Sequence, residues 1–260
     1  MGRLSRLMMF GVAALFACSP ASAQGEFVNL VDHVHLAAPD QAKAVEWYHK
    51  FFGGDTMTEG PDRLMFGQTR LIVQKNEMPQ PSAGTAVDHI GFSVANLDAT
   101  MTQLAAGGVK ITTPPRDVQG LFKIAFVEDP WGTRIEVVQD PQKLGLHHVH
   151  VRGPDPAATL AWYTDKFGGK VEKLKGQIDG IQYGDVWILA ARGDAVPTAG
   201  HAVDHIGFRP NRVDDTVAKL KTKNVKVTNE PRDLTLASGT KMRIAFIEGL
   251  DGVRIELVQR

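Results

Sequence analysis

The chain has 260 residues and a single cysteine, Cys18, so no disulfide framework can support it. Neither sign of charge prevails: Lys plus Arg and Asp plus Glu number 29 each. That balance gives no reason to expect nucleic acid or an anionic membrane as a partner. The apolar run from Leu7 to Phe16 is too short for a stable bilayer anchor but suits the apolar core of an export signal. Arg3 and Arg6 precede it, and Ala21-Ser22-Ala23 supplies a small-x-small cleavage pattern. Residues 1–23 are therefore expected to be a signal peptide, and the mature chain periplasmic or secreted, with no membrane association. The alternative is a retained anchor or tail. Leu15-Phe16-Ala17-Cys18 loosely resembles a lipoprotein cleavage box, although the bulky Phe16 argues against it. After cleavage the chain has no cysteine and carries 27 basic against 29 acidic side chains. With 43% apolar and 22% charged residues it reads as a soluble globular protein of one large or two ordinary domains.

What the chain does have is a duplication. Val87-Asp88-His89-Ile90-Gly91-Phe92 returns as Val203-Asp204-His205-Ile206-Gly207-Phe208. A His-rich strand precedes each copy, at Asp32 to Leu36 and at His147 to Val151, and a strand with one glutamate follows, Arg134-Ile135-Glu136-Val137 and Arg254-Ile255-Glu256-Leu257. From His33 to His148 is 115 residues, from His89 to His205 is 116, and from Glu136 to Glu256 is 120. The halves are expected at 24–140 and 141–260, linked by Asp140 to Lys143.

Each half divides again into strand, helix and about three strands. Leu30 to Leu36 alternates as a strand, and Asp40 to Phe52 reads as a helix stopped by Gly53-Gly54. Its counterpart starts with Asp155 as cap and Pro156 in the first turn. Further helices are expected near Leu97 to Ala106 and Val213 to Lys223. Trp47, Tyr48, Trp162 and Tyr163 have the spacing of core residues. Arg116-Asp117 and Arg232-Asp233 follow proline and read as a structural turn pair, and Asp129-Pro130-Trp131-Gly132 as a turn that becomes Gly249-Leu250-Asp251-Gly252 in the second half.

Strand alternation sorts the chemistry. Ile90, Phe92 and Val94 share one face, suited to packing under a helix; His89, Gly91 and Ser93 share the other, which is small and polar. Glu136 shares its face with Arg134 and Val138. His33 and His35 face one way, as do His148 and His150. Two histidines and a glutamate on strands, present twice, form a metal-site pattern.

Four βαβββ modules with these motifs resemble the vicinal oxygen chelate superfamily, which includes glyoxalases, bleomycin- and fosfomycin-resistance proteins and extradiol dioxygenases. The resemblance rests on the two D-H-I-G-F strand starts and on Phe126 to Glu136, and covers nearly all of the mature chain. It implies an α+β fold in which paired modules form two open, cup-shaped β-barrels with a metal inside. The first module is expected to pair with the second and the third with the fourth, the simplest arrangement; other members pair the first with the fourth. Carried over, the metal ligands are His33, His89, Glu136, His148, His205 and Glu256. The donor set suits Fe(II) first, with Mn(II), Zn(II) or Ni(II) also compatible, and open coordination positions would let two adjacent oxygens of a small molecule bind.

Departures from the family narrow the chemistry. The resemblance places a fourth ligand and base of glyoxalases at Ile72 and Leu189, which cannot serve. It places an extradiol tyrosine at Phe126 and Phe246, and no histidine lies in Pro115 to Lys123 or Pro231 to Arg243. His35 and His150 remain as catalytic candidates for proton transfer, or as supports of the ligands. Arg134 and Arg254 are expected to neutralise the glutamates or to meet a substrate carboxylate. The reading is an exported metal-dependent lyase, isomerase or dioxygenase acting on a small substrate as a monomer or homodimer. The alternatives are a small-molecule binding protein of the bleomycin-resistance type or a structural or metal-storage role.

Overall fold

The computed structural model describes residue 28 and residues 30–260; the expected signal peptide, its cleavage pattern and Cys18 lie outside the described residues. Four βαβββ modules follow one another. The first holds β1 (Val31–Ala38), α1 (Gln41–Phe52), β2 (Asp55–Thr56), β3 (Arg63–Phe66) and β4 (Thr69–Lys75). The second holds β5 (Val87–Ser93), α2 (Leu97–Ala106), β6 (Lys110–Asp117), β7 (Lys123–Glu128) and β8 (Arg134–Val138). The third holds β9 (Gly145–Gly153), α3 (Pro156–Phe167), β10 (Val171–Leu174), β11 (Ile178–Tyr183) and β12 (Val186–Arg192). The fourth holds β13 (Val203–Phe208), α4 (Val213–Thr222), β14 (Val227–Thr235), β15 (Lys241–Glu248) and β16 (Arg254–Gln259).

Local chemistry fixes the helix starts. Asp40 caps α1 by accepting from the Lys43 amide at 3.1 Å, and Asp155 caps α3 by accepting from the Ala157 and Ala158 amides, with Pro156 in the first turn. Within each module the first and last strands run parallel, as a helical crossover requires. No helix among the described residues is long and apolar enough to cross a membrane.

The modules pair differently from the simplest expectation. The first joins the fourth in one eight-stranded sheet, ordered β14-β15-β16-β13-β1-β4-β3-β2, and the second joins the third in the other, β10-β11-β12-β9-β5-β8-β7-β6. Each sheet is an open cup rather than a closed barrel. The join is made by first strands, β1 antiparallel to β13 and β5 antiparallel to β9. Modules adjacent in sequence meet through side chains instead. Phe52 of α1 stacks on Phe92 of the second module at 4.4 Å, and the Tyr48 hydroxyl donates to Asp129 at 2.6 Å. In the second half Phe167 of α3 stacks on Phe208 at 4.7 Å. Sequence neighbours are thus satisfied by core packing, and first-strand edges are left to pair with the distant module. One apolar core runs through all four modules, with Tyr48, Phe92, Tyr163, Phe167 and Phe208 buried in it. Each such aromatic contributes on the order of 2 to 3 kcal/mol of burial. Trp47 and Trp162 pack partly buried against this core, as their spacing predicts.

The Pro-Arg-Asp segments are strand rather than turn. Pro115-Arg116-Asp117 lies in β6 and Pro231-Arg232-Asp233 in β14, the outermost strands of their sheets. An edge strand tolerates a residue without an amide proton, and the ladder is irregular beside both segments.

Candidate metal centres

The register across each sheet gathers the ligands. In the outer pair, His33 on β1 lies opposite Gly207 on β13, which lies opposite Glu256 on β16; His35 lies opposite His205. In the inner pair, His148 on β9 lies opposite Gly91 on β5, which lies opposite Glu136 on β8; His150 lies opposite His89. All eight predicted site residues therefore converge in two clusters, His33, His35, His205 and Glu256, and His89, His148, His150 and Glu136. Within each cluster the donor atoms lie within 4.8 Å of one another.

The two clusters have nearly the same geometry. Oε2 of Glu256 is 3.2 Å from Nε2 of both His33 and His205, and Oε2 of Glu136 is 3.2 Å from Nε2 of both His89 and His148. Nδ1 of His35 shares a hydrogen bond with Nε2 of His205 at 2.7 Å, and Nδ1 of His150 with Nε2 of His89 at 3.1 Å. The glycines of D-H-I-G-F make room for the facing ring: a Cβ on Gly207 would lie 2.1 Å from His33 Cε1, and one on Gly91 would lie 2.0 Å from His148 Cε1.

These residues fit a divalent ion. Nε2 of His33 and Nε2 of His148 are buried without a hydrogen-bond partner, although a carboxylate oxygen lies within 3.2 Å. A buried polar atom left in this state is costly, and an ion among the donors would satisfy both nitrogens and the carboxylate together. In the outer centre the donors form the floor of a cavity of about 230 Å³, also walled by Arg63, Ile72, Met242 and Phe246.

A feature missed from the sequence stands behind the first-strand ligand histidine of each module. The ladder slips by one residue at Asp32, Asp88, His147 and Asp204. A β-bulge re-aims a side chain that strict alternation would send to the other face, and each bulged residue turns back onto the next ligand. Nδ1 of His33 donates to Asp32 at 3.0 Å, Nδ1 of His89 to Asp88 at 2.7 Å and Nδ1 of His205 to Asp204 at 2.7 Å. His148 is backed instead by His147, with their Nδ1 atoms 2.9 Å apart. The signal was present as an acidic residue before three of the four histidines.

The arginines neutralise these aspartates, not the glutamates. Arg134 pairs with Asp88 and Arg254 with Asp204, and their guanidinium groups lie over Phe126 and Phe246 at 4.4 and 4.5 Å. Asp32 receives Arg209, Arg260 and Arg70.

Burial opposes charge throughout, and partners overcome it at some groups but not at others. Burial would raise Glu136 and Glu256, yet their two histidine partners hold both carboxyls well below the usual range. Burial would lower His33, yet Asp32 and Glu256 bring it up to about 8. His89 is likewise raised by Asp88 and Glu136 against burial. Burial lowers His148 despite Glu136. His35 and His150 are pushed well down by burial and by neighbouring histidines, so both stay neutral. Ile72 lies opposite His35 and Leu189 opposite His150, so the positions lacking a carboxylate adjoin these neutral imidazoles.

Residues 30–137 and 145–257 each match the Glyoxalase/Bleomycin resistance protein/Dioxygenase superfamily. The chain belongs to that superfamily, whose members use divalent metals. It is similar to a Mycobacterium tuberculosis protein named "Putative glyoxylase CFP32", at 22% identity over 77% of this chain and 85% of that protein. It also resembles a Vibrio cholerae protein named "Probable lactoylglutathione lyase", at 29% identity over 42% of this chain and 90% of that one. In fold it is similar to crystalline glyoxalase I from Zea mays, with a TM-score of 0.72 and 22% identity over 88% of this chain and 92% of that one.

Proposed function

We propose that the protein is an exported, divalent-metal-dependent enzyme of the lyase or isomerase type, acting on a small substrate with two adjacent oxygens. The observation that carries this reading is a half-buried imidazole beside each donor set: His35 Nδ1 lies 2.7 Å from His205 Nε2, and His150 Nδ1 lies 3.1 Å from His89 Nε2. A bound divalent ion would supply Lewis acidity toward the two substrate oxygens. His33, His205 and Glu256 would hold that ion in one centre, and His148, His89 and Glu136 in the other. His35 and His150 would accept the proton released next to the polarised carbonyl, the task that Ile72 and Leu189 cannot perform. Being uncharged, each has a lone pair ready. The names of the mycobacterial and Vibrio relatives support this chemistry.

Ring-cleaving dioxygenation is the less favoured outcome. Phe126 and Phe246 lie edge-on to His89 and His205 at 5.3 and 5.4 Å, where they offer no phenol to move a proton. Export rests on the Arg3-Arg6 start, the Leu7 to Phe16 run and the Ala21 to Ala23 pattern.

The test is elemental analysis of protein purified from the periplasm, followed by turnover of 2-oxoaldehyde–thiol adducts in deuterated water with an oxygen electrode in place. Two equivalents of metal and deuterium wash-in are expected, both lost in His89→Ala/His205→Ala, with no oxygen uptake in either protein. Oxygen consumption would transfer the reading to a dioxygenase. Absence of metal after reconstitution with Fe(II), Mn(II), Ni(II) and Zn(II) would overturn it in favour of a binding protein.

A further inference from the structure

Three of the four histidines that follow a bulge have a carboxylate behind Nδ1; His148 has an imidazole. His147 is fully buried, its Nε2 has no hydrogen-bond partner, and the nearest acid, Asp140, holds Oδ2 3.7 Å away. The edge of Phe122 closes another side, with ring centroids 5.5 Å apart. A carboxylate only accepts, so in their neutral forms His33, His89 and His205 are each confined to the tautomer with hydrogen on Nδ1 and a lone pair on Nε2. A neutral imidazole either donates or accepts. The pair therefore has two arrangements. In one, His147 donates from Nδ1, and His148 carries its hydrogen on Nε2, facing Glu136. In the other, His148 donates from Nδ1 and keeps a lone pair on Nε2, and the hydrogen of His147 lies on Nε2, facing Asp140. Each ring holds one hydrogen in both, so the exchange releases no proton.

We propose that His147 is the positioning residue of the inner centre: by accepting from His148 Nδ1 it selects the metal-binding tautomer, and Asp140 backs it in that state. The inference rests on the metal reading of the site. It also ties occupancy to the segment joining the halves, because Asp140 Oδ1 accepts from Lys175 Nζ and from the Gln142 amide, both at 3.2 Å.

Zinc would be titrated into metal-free protein against a chromophoric chelator, with the inner equivalent identified as the one lost in His148→Ala. His147→Leu, which cannot accept, should weaken that equivalent by roughly 10- to 100-fold and leave the outer equivalent unchanged. His147→Asn restores an acceptor on the bulged residue, as Asp32 does in the outer pair, and should recover most of the affinity. Nitrogen-15 spectra of the histidine-labelled parent should show hydrogen on Nε2 of His147 only in the zinc-loaded form. An unchanged inner equivalent in His147→Leu would overturn the proposal, as would hydrogen on Nδ1 of His147 in the loaded protein. The spectra decide the matter if His147→Leu loses both equivalents through misfolding. No zinc binding in the parent would overturn the metal reading itself and this inference with it.

Discussion

The two centres share their donors and differ in their supports. Where the outer centre has Asp32, the inner has His147, and three other matched positions change with it: Arg209 becomes Ser93, Arg260 becomes Asp140, and Arg70 becomes Trp187. A buried carboxylate requires cations around it, whereas a buried imidazole is better served by neutral neighbours and a single acid. The eight clustered residues are the same in kind in both halves, while the group behind one histidine differs together with its surroundings. The same lesson appears in the core. Tyr48 donates to Asp129, but the matched Tyr163 hydroxyl is buried without a partner, because the residue matching Asp129 is Gly249.

The largest effect that would separate the centres is loss of a ligand. Glu256→Ala should weaken the outer metal equivalent, and Glu136→Ala the inner one, each by on the order of 100-fold or more and independently of the other; coupled losses in a zinc titration would mean the centres are not separate. Next, Asp32→Ala leaves guanidinium groups buried without their carboxylate and should cost about 3–5 kcal/mol of stability, against about 1–3 kcal/mol for His147→Ala. Equal shifts in urea midpoint would erase the distinction drawn between the two supports.

Third, the metal-free protein should respond to pH in opposite senses at the two supports. His33 is raised to about 8, so its contribution is present below pH 6.5 and is lost as pH rises through about 8. Its size is about 2 kcal/mol. His89 shifts in the same sense. His147 is lowered to about 3, by burial and then by His148, and His148 is lowered as well. The unfolded chain then takes up protons that this pair refuses, and stability falls as pH drops below 6.5. Ring titrations by NMR that moved His33 and His147 in the same direction would refute the contrast. The smallest effect belongs to the tyrosines: Tyr48→Phe should cost about 1–2 kcal/mol, whereas Tyr163→Phe, which removes a buried hydroxyl without a partner, should cost nothing and stabilise the fold by up to about 1 kcal/mol.

Much of this was legible in the sequence. Leu97 to Ala106 is a helix over the predicted span, because its cap and its breakers are local. The faces of His89, Glu136 and His33 followed from strand alternation, and both clusters formed from the predicted residues. Module pairing was not legible, because either pairing yields a His/His/Glu set from equivalent modules. The choice depends on which first-strand edge α1 and Phe92 leave open, a property of packing. The bulged aspartates were missed because alternation assigns them to the opposite face. Alternation likewise sets Arg134 beside Glu136, free to neutralise it or to meet a substrate carboxylate, whereas its partner in the structure is Asp88. Arg116 follows proline, which marks turns and outer strands alike, so the sequence does not separate the two.

The pairing of first with fourth module also sets a schedule. β1 is the first strand of the chain, yet the strand that covers its second edge, β13, comes from the last module, and His35 meets His205 across a separation of 170 residues. The inner sheet can close as soon as β12 has appeared, while β1 waits with an unpaired edge. The outer donors can therefore be gathered only once the last module is present, whereas the inner donors are all supplied by the second and third modules.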